Sequence, residues 1–384
     1  MVRLADVASI TMGQSPPGDS CNNDGNGVPL LNGPTEFGSS SPTPVQWTDK
    51  PVRFAAPGDI LFCVRGSTGR MNIADQQYCI GRGLAAIRGK TSTDTILIRH
   101  AIQLRLSALL QVATGSTFPS LARDDIGAME IPWPSDSERR MIAEVLGALD
   151  DKIESNRRLI DTSMALSEAT YVSWRNSFEE VRETTFGDYT DVFGGATPST
   201  SEPGYWGGPH VWIAPRDVTA MDSVYLYDSE RHITDLGLAQ SSTTLHPPGS
   251  IFMTSRATIG AFAINQVPCA PNQGFIVVRP RDPSDRWFLF HEMRSRVGEM
   301  HDRATGTTFR ELSRGSFREM SVVIPADQAR LAALDDLVAP VHARAAAAAS
   351  ESFSLKKLRM MLLPELLSGR LRVRDAEKFV EESV

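Results

Sequence analysis

The chain has 384 residues, 41% of them hydrophobic and 22% charged, which is enough for two or three domains and excludes a disordered chain. Its formal net charge of −7 excludes a strongly basic protein, so any DNA binding must rely on locally placed arginines or on charge from a partner. No apolar run approaches the roughly 18 residues that span a bilayer, and the N-terminus lacks the features of a signal peptide, which together predict a cytoplasmic protein.

An internal repeat covers about half of the chain in each copy. The string ATGSTFPSLARDDIGAMEIPWPSDSER at position 113 returns as ATGTTFRELSRGSFREMSVVIPADQAR at position 304, an offset of 191. Near the start of each copy the offset is 182, so nine extra residues lie inside the second copy. A repeat of this length is too long for a solenoid unit, and it predicts two domains of one fold, over residues 1–134 and 183–325.

Each copy has the same predicted order of elements. Short β-like runs broken by turn residues come first, as in ILFCVRGSTGRMNIA and IFMTSRATIGAFAI, and they predict a strand, a turn and a strand. A helical stretch follows in each copy (TILIRHAIQLRLSALLQV; DRWFLFHEMRSRVGEM), and then an ATGxTF loop, a short strand and a proline, Pro134 or Pro325. The fold class is therefore mixed α/β.

The pattern changes to a long helix after Pro134, in a segment over 135–182. Apolar residues step by four, three, four and seven in a heptad rhythm, which predicts a helix from Asp136 to about position 178 with a partner helix along its seam: Ile142, Leu146, Leu149, Ile153 and Ile160. Asn156 occupies the missing seam position. It either fixes how the helix docks or faces solvent, and the pattern leaves both open.

A second long helix is predicted in the segment 326–384, from Asp327 to about Leu363. Its apolar stripe is Leu331, Leu334, Leu337, Val341, Leu355, Leu358 and Leu362. Pro340 is expected to kink the helix or delay its start, and Pro364 to end or kink it. The alanine run from Ala345 to Ala349 has high helix propensity.

No motif for catalysis or metal binding stands out. Walker A, GxGxxG, HExxH and GxSxG strings are absent, and QSPPGD at position 14 lacks the acid or amide and the aromatic residue of an adenine methyltransferase loop. The four cysteines show no metal-ligand spacing and are predicted to be reduced and mostly buried. His100 and His291 match in the repeat and are interpreted as structural, whereas the acidic pairs at 124–125 and 150–151 are unmatched and are interpreted as solvated. Neither catalytic residues nor a bound cofactor or metal are expected in this chain.

An arginine precedes a glycine-containing or related turn in each copy, Arg65 in VRGSTGR and Arg256 in SRATIG. Arginine can donate two hydrogen bonds to guanine O6 and N7, so both are candidates for DNA reading; alternatively, each holds its own turn through carbonyls or an acid. Hydroxyls that could contact phosphate or base edges are Ser67, Thr68 and Thr258. Residues that differ between copies are better candidates for reading different sequences, namely Arg70, Arg82, Asn272, Gln273 and Arg310. The ATGxTF loops offer hydroxyls for phosphate or form tight scaffold turns, with Ser116, Thr117, Thr307 and Thr308.

Taken together, the repeated motifs resemble the specificity subunit of type I restriction-modification systems. The resemblance is carried by GQSPPGDSCNNDGNGVPLLNG, VRGSTGRMNIADQQYCIGRGLAAI, GGATPSTSEPGYWGGPHVWIAPRDV, TSRATIGAFAI with NQGF, the ATGxTFxxL loops and LLPELLSGRL. It implies two target-recognition domains in tandem that each bind half of an interrupted sequence in double-stranded DNA. It also implies that the two long helices pack as an antiparallel coiled coil, space the domains and dock two methylation subunits. Those subunits would hold S-adenosylmethionine, and a motor-nuclease restriction subunit could join them.

Two other function classes remain as alternatives. The chain could be a coiled-coil adaptor that tethers protein partners and has lost DNA reading, which predicts partner binding without sequence preference. A stand-alone nuclease or methyltransferase has no motif in its favour, and would require that the purified chain cuts or methylates DNA unaided.

Overall fold

The computed structural model describes residues 1–38, 41–111, 120–177, 180–306 and 310–372. The chain divides into two compact units, one formed by Met1–Glu154 with the residues from Ser354 onward, the other by Ser155–Phe353. Both divisions fall inside long helices, so each unit contains part of both helices. Within the described residues, no helix is both long enough and apolar enough to cross a bilayer.

The first unit holds the N-terminal repeat and three sheets. Its elements, in chain order, are β1 (Val2–Arg3), α1 (Leu4–Val7), β2 (Ala8–Met12), β3 (Cys21–Asn22), β4 (Val28–Leu31), β5 (Gln46–Thr48), β6 (Phe54–Ala55), β7 (Ile60–Cys63), β8 (Met71–Ile73), β9 (Tyr78–Ile80), β10 (Leu84–Gly89), α2 (Ser92–Gln111), α3 (Arg123–Ala128) and β11 (Glu130–Ile131). The sheet orders are β2-β10-β7-β8, β3-β5-β4-β9-β6 and β1-β11. The long helix α4 (Asp136–Arg175) follows and continues into the second unit.

The second unit repeats this arrangement. Its elements are β12 (Val181–Thr185), α5 (Phe186–Tyr189), β13 (Asp191–Phe193), β14 (Trp206–Ile213), α6 (Pro215–Thr219), β15 (Tyr225–Leu226), β16 (Arg231–Ile233), α7 (Asp235–Ala239), β17 (Ile251–Thr254), β18 (Phe262–Asn265), β19 (Cys269–Pro271), β20 (Phe275–Arg279), α8 (Arg286–Ser295), α9 (Val297–Arg303), α10 (Arg314–Arg318) and β21 (Ser321–Pro325). The sheet orders are β13-β20-β17-β18-β15, β16-β14-β19 and β12-β21. The second long helix, α11 (Ala329–Ser368), ends the described elements.

The two units share one topology. The order β2-β10-β7-β8 returns as β13-β20-β17-β18, and the parallel pair β4 and β9 returns as β14 and β19. Strand β17 begins 191 residues after β7, the offset found in the sequence. The predictions of two domains of one fold and of a strand-turn-strand segment in each copy are confirmed.

The matched strands β7 and β17 are buried on both faces. In β7, Ile60 and Phe62 pack with the helices, whereas Leu61 and Cys63 pack against the second sheet of the unit. Since successive side chains point to opposite faces of a strand, the unbroken apolar run ILFC requires cover on both sides. All four cysteines are free and three are buried, as predicted.

Two helix predictions need correction. The single helix predicted over 285–300 is two helices, α8 and α9, with Arg296 between them. Pro364 does not end the second long helix, which begins at Ala329 and continues through Pro340 and Pro364 to Ser368. The residues around Pro364 explain why: Leu362, Leu363, Leu366 and Leu367 are all buried in the core of the first unit. This packing stabilises helix that local propensity alone would interrupt.

The two long helices pack along the predicted seam within each unit. In the first unit the buried residues on α4 and α11 are Ile142, Leu146, Leu149, Leu355, Leu358 and Leu362, with Ile153 partly buried against them. In the second unit Ile160 belongs to the same core as Leu331 and Leu334. There Asn156 contacts Glu351 and Trp174 contacts Arg330, so the paired segments run antiparallel.

Leu337 does not lie in that seam. Its side chain is 59% exposed, because the buried row steps by four from Leu334 to Val338. Asn156 is buried and its amide donates a hydrogen bond of 2.8 Å to Glu351 Oε2, which excludes the solvent-facing alternative. A buried polar pair of this kind costs stability if it is shifted out of register.

Asp150 is not the solvated residue that the sequence suggested. Its carboxylate lies 3.2 Å from Arg99 Nη1 and 3.0 Å from His100 Nε2, and it also pairs with Arg359 on α11. Burial alone would raise the pKa of this carboxyl, but His100 and the two arginines outweigh it and lower the pKa to about 2. Asp150 thus joins α2, α4 and α11 through one carboxylate.

We expect Asp150→Asn to lower the free energy of unfolding by about 3 kcal/mol, because it leaves buried positive charge without its counter-charge. Urea denaturation of the purified chain measures this change. The neighbouring Asp151 is exposed, so Asp151→Asn is the matched control and should leave the free energy of unfolding almost unchanged. Equal effects of the two variants would contradict the assignment.

His291 and His342 form a buried pair in the second unit. Their Nε2 atoms lie 3.1 Å apart, and Tyr225 Oη lies 2.9 Å from His342 Nδ1. The His342 ring stacks on Trp287 at 3.5 Å between centroids. Burial lowers the pKa of His291 to about 4 and that of His342 to about 3, so both imidazoles are neutral near pH 7. This buried, neutral imidazole agrees with the interpretation of His291 as a structural residue.

These two pKa values predict a loss of stability in mild acid. The unfolded histidines titrate near 6.5, so between about pH 6.5 and pH 4 the unfolded chain binds more protons and the melting temperature falls as the pH is lowered. His342→Phe keeps an aromatic ring on Trp287 and should make this fall shallower. The control His301→Phe should keep the wild-type slope, and an unchanged slope for His342→Phe would refute the assignment.

Candidate nucleic-acid interface

Three loops converge beside the four-stranded sheet of the first unit. Val64 N donates to Gly83 O at 2.9 Å, and Leu121 N donates to Val64 O at 3.1 Å. These bonds connect the turn after β7, the link between β9 and β10, and the chain before α3. The convergence brings together most of the residues that the sequence singled out in this unit: Arg65, Ser67, Thr68, Arg70 and Arg82.

The second unit builds its loops with the same bonds. Ser255 N donates to Gly274 O at 2.8 Å, and Leu312 N donates to Ser255 O at 3.0 Å. Each of these residues lies 191 positions after its counterpart in the first unit. This cluster contains Arg256, Thr258, Asn272 and Gln273, with Arg310 two residues before Leu312.

A glycine at the same place in each unit permits the close approach of these loops. A Cβ on Gly13 would lie 2.1 Å from Gly81 O, and one on Gly195 would lie 2.2 Å from Asn272 O. Any side chain at either position would force the backbone apart. The repeated glycine therefore belongs to the scaffold that positions the loops.

The two matched arginines have different surroundings. Arg256 Nε donates to Glu311 Oε1 at 2.7 Å, and both side chains are partly exposed. This pair favours the turn-holding interpretation of Arg256. At the position of Glu311 the first unit has Ser120, and among the described residues Arg65 has no acidic partner. Arg65 thus presents an exposed guanidinium that remains a candidate for DNA contact.

The unmatched candidates also divide into two kinds. Asn272 Oδ1 accepts from Gly274 N at 2.7 Å and Gln273 Oε1 accepts from Thr197 Oγ1 at 2.5 Å, so both amides help to hold their loop. Arg82 Nε donates to Ser15 Oγ at 3.3 Å but its side chain is exposed. Further exposed candidates are Ser67, Arg70, Thr258 and Arg310, while Thr68 is half-buried. The ATGxTF hydroxyls lie outside the described residues: Ser116, Thr117, Thr307 and Thr308.

The side chains near these loops suit ligand binding and not nucleophilic catalysis. Cys63 ends β7, next to the turn, and burial raises the pKa of its thiol to about 12, so it stays protonated and a poor nucleophile. Across the described part of the chain, no three His, Cys, Asp or Glu side chains are grouped so that they could hold a metal ion. What the loops do offer is exposed guanidinium and hydroxyl donors, which suit phosphate and base edges.

One feature of the second unit was missed by sequence reasoning. The Arg231 guanidinium carbon lies 3.4 Å from the centroid of the Trp206 ring and 5.4 Å from that of Trp212. The two tryptophans occur in the string EPGYWGGPHVWIAPRD, but nothing in the pattern pairs them with an arginine about 20 residues later. Only the antiparallel pairing of β14 with β16, which sets Trp212 opposite Arg231, brings the three together.

Comparison with known proteins assigns the chain to a family. The family described as the type I restriction modification DNA specificity domain matches the chain twice, over residues 1–162 and 179–341. The two matches cover most of the chain and follow the structural repeat. The chain therefore belongs to this family, and the resemblance predicted from its motifs is confirmed.

Individual relatives carry the same description. The type I restriction enzyme HindI specificity subunit of Haemophilus influenzae is 19% identical over 402 positions that cover 82% of this chain and 86% of that protein. Two type I specificity subunits of Methanocaldococcus jannaschii, MjaX and MjaIX, are 39% and 34% identical, each over 39% of this chain. The chain spans only 35% and 37% of the length of those two proteins.

A solved structure shares the fold. The S subunit of a type I restriction-modification system from M. genitalium matches 95% of this chain and 94% of its own, with a TM-score of 0.57 at 17% identity. The predicted fold class, tandem α/β domains each followed by a long helix, is confirmed.

The turn that carries Arg256 contains a strained residue. Ala257 has a φ of 59°, and its counterpart in the first unit is Gly66, with a φ of 80°. A left-handed conformation costs a non-glycine residue about 1 kcal/mol. We expect Ala257→Gly to raise the free energy of unfolding by about 1 kcal/mol, measured by chemical denaturation.

The reciprocal change provides the control for this turn. Gly66→Ala should lower the free energy of unfolding by a similar amount through strain alone, since no atom lies within 4 Å of the added Cβ. A loss of stability in Ala257→Gly would show that the turn is not strained as described.

Proposed function

We propose that this chain is the non-catalytic DNA-reading subunit of a type I restriction-modification complex, and that it recognises an interrupted sequence in double-stranded DNA. Residues 1–134 and 183–325 act as target-recognition domains that each bind one half of the site. The segments 135–182 and 326–384 act as the helical spacers between them.

One observation carries this proposal: the two loop clusters share a backbone but differ in side chains. At matched positions Arg70 corresponds to Ala261, Arg82 to Gln273, and Ser67 to Thr258. The shared hydrogen bonds hold both sets of loops in one geometry. A constant scaffold with variable donors is what two readers of different base sequences require, because the donor pattern of each base pair in the major groove is distinct.

The partners of the complex follow from the chemistry that this chain lacks. We propose that two methylation subunits dock on the helical spacers and supply S-adenosylmethionine for adenine N6 methylation, in the cytoplasm, and that a motor-nuclease subunit adds restriction where it is present. The net charge of −7 agrees with a subunit that binds DNA together with partners that contribute positive charge.

Modified-base sequencing of host DNA tests the proposal. Deletion of the gene should remove one interrupted N6-methyladenine motif and thereby name both half-sites. With the gene restored, Arg82→Gln should alter or relax the first half only and Arg310→Gln the second half only, since an arginine that reads a base contributes about 1–3 kcal/mol of discrimination.

The control is Arg3→Gln, which removes an exposed arginine of the first unit paired with Asp6, outside the spacers and the loops, and should leave the motif unchanged. Simultaneous change of both halves by Arg82→Gln would contradict separate half-site readers. An unchanged methylome on deletion, together with partner binding that is insensitive to DNA sequence, would favour the adaptor alternative.

A further inference from the structure

We infer that Arg231, stacked on Trp206 and Trp212, is a preorganised contact for a DNA phosphate at the second half-site. This inference rests on the proposed DNA-reading function and adds a positioning residue to it. The three residues are called the Trp–Arg stack below.

The geometry of the stack fixes the guanidinium. Its central carbon lies 3.4 Å from the centroid of the Trp206 ring, a close cation–π contact, and Arg231 faces Trp212 across the pairing of β14 with β16. The two indole rings meet edge to face, with centroids 5.0 Å apart and planes at 87°. The arginine is therefore held by packing against the two rings.

The rings are themselves anchored to the chain. Trp206 Nε1 donates to Ser199 O at 3.0 Å, and Trp212 Nε1 donates to Ala196 O at 3.1 Å. Trp212 is 4% exposed. Because the platform is rigid, little side-chain freedom remains for Arg231 to lose when a ligand binds, and this favours affinity.

Charge balance around the stack leaves Arg231 available. The nearby acids in sequence are paired elsewhere: Asp228 with His232 at 2.9 Å, Glu230 with Arg216 at 2.7 Å, and Asp235 with His210 at 2.7 Å. Within the described ranges, no oxygen accepts a hydrogen bond from the Arg231 guanidinium. A stacked guanidinium keeps its in-plane N–H donors free, and their fork matches the oxygens of a phosphate.

The stack lies on two strands of a three-stranded sheet whose third strand leads into one of the candidate loops of the second unit. Trp212 is opposite Ala270 on β19, and that strand leads directly into Asn272 and Gln273. At the usual strand spacing, β16 and β19 are roughly 10 Å apart, which is within the reach of neighbouring phosphates on one DNA duplex. The site therefore extends the candidate interface.

Among the described residues, the first unit has no equivalent of the Trp–Arg stack. At the matched pairing, Leu30 on β4 stands for Trp212, and its partner is Gln46 on β5. The Gln46 amide oxygen already accepts from Asn32 Nδ2 at 2.9 Å. The proposed phosphate contact is therefore assigned to the second half-site.

A phosphate contact positions the protein without reading sequence. We therefore expect Arg231→Gln to weaken binding about tenfold, equally for the recognised duplex and for a duplex with a scrambled second half, and to reduce the slope of log affinity against log salt by about one. Trp206→Leu removes the platform while leaving the charge, so it should weaken binding less than Arg231→Gln does and leave the salt slope nearly unchanged.

The experiment is fluorescence anisotropy of the full chain, together with its methylation subunits, on labelled duplexes that carry the sequenced motif. Arg281→Gln is the matched control: it removes an exposed arginine of the same unit that Asp191 already pairs, and it should bind as the wild type does. Arg231→Lys keeps the charge without the planar stack and should be intermediate. It provides a second readout if Arg231→Gln folds poorly, which a thermal melt would reveal.

The outcomes separate the inference from the proposal on which it rests. Wild-type affinity in Arg231→Gln and Arg231→Lys, with preference for the motif intact, would overturn the phosphate contact alone. A changed preference in the second half would also overturn it, because Arg231 would then read bases. Failure of the wild-type complex to prefer its motif would overturn the DNA-reading function, and the phosphate contact with it.

Discussion

The packing of the two long helices is the constraint on which each unit depends. The core of the first unit needs Leu355, Leu358 and Leu362, which lie far along the chain from the sheet that they cover. The second unit in turn uses Ile160 from α4 and Leu334 from α11. Because neither unit can complete its core from its own repeat, the helices must pair in one register. The Asn156 to Glu351 bond and the Asp150 to Arg359 pair provide polar and ionic contacts that penalise other registers.

In both units the loops share one backbone geometry, whereas the side chains that they carry differ. The bonds from Val64 to Gly83 and from Ser255 to Gly274 are the same bond in two copies, so the loops keep their geometry whichever side chains they carry. Side chains then differ where the repeat allows it, as at Arg82 and Gln273. In the part of the chain that the structure describes, the Arg256 to Glu311 pair and the Trp–Arg stack have no counterpart in the first unit, so the two candidate surfaces differ in charge as well as in sequence.

The sequence predicted much of the fold because each motif and element pattern occurs twice, so one copy supports the interpretation of the other. The offset of 191 identified matching strands, and the heptad rhythm identified the seam from Ile142 to Ile160. The wrong predictions concern residues whose contacts come from segments far away in the sequence. Pro364 was expected to end or kink a helix that continues to Ser368. Leu337 was placed in a seam that uses Val338, and Asp150 was interpreted as solvated although Arg99 and Arg359 pair with it. Local pattern does not contain these contacts.

The amino-acid sequence by itself determined the two-domain plan, the family and the residues on the two matched turns, because periodicity, glycine turns and a duplicated motif order are local properties. The tertiary structure decided which of those residues hold a turn and which are exposed to a ligand. Arg65 and Arg256 are matched arginines of the repeat. They differ in their surroundings because Arg256 pairs with Glu311, whereas the matched position in the first unit is Ser120. Arg231 acquires its candidate role from strand pairing, since the energy of a stacked guanidinium depends on distances that no spacing along the chain encodes.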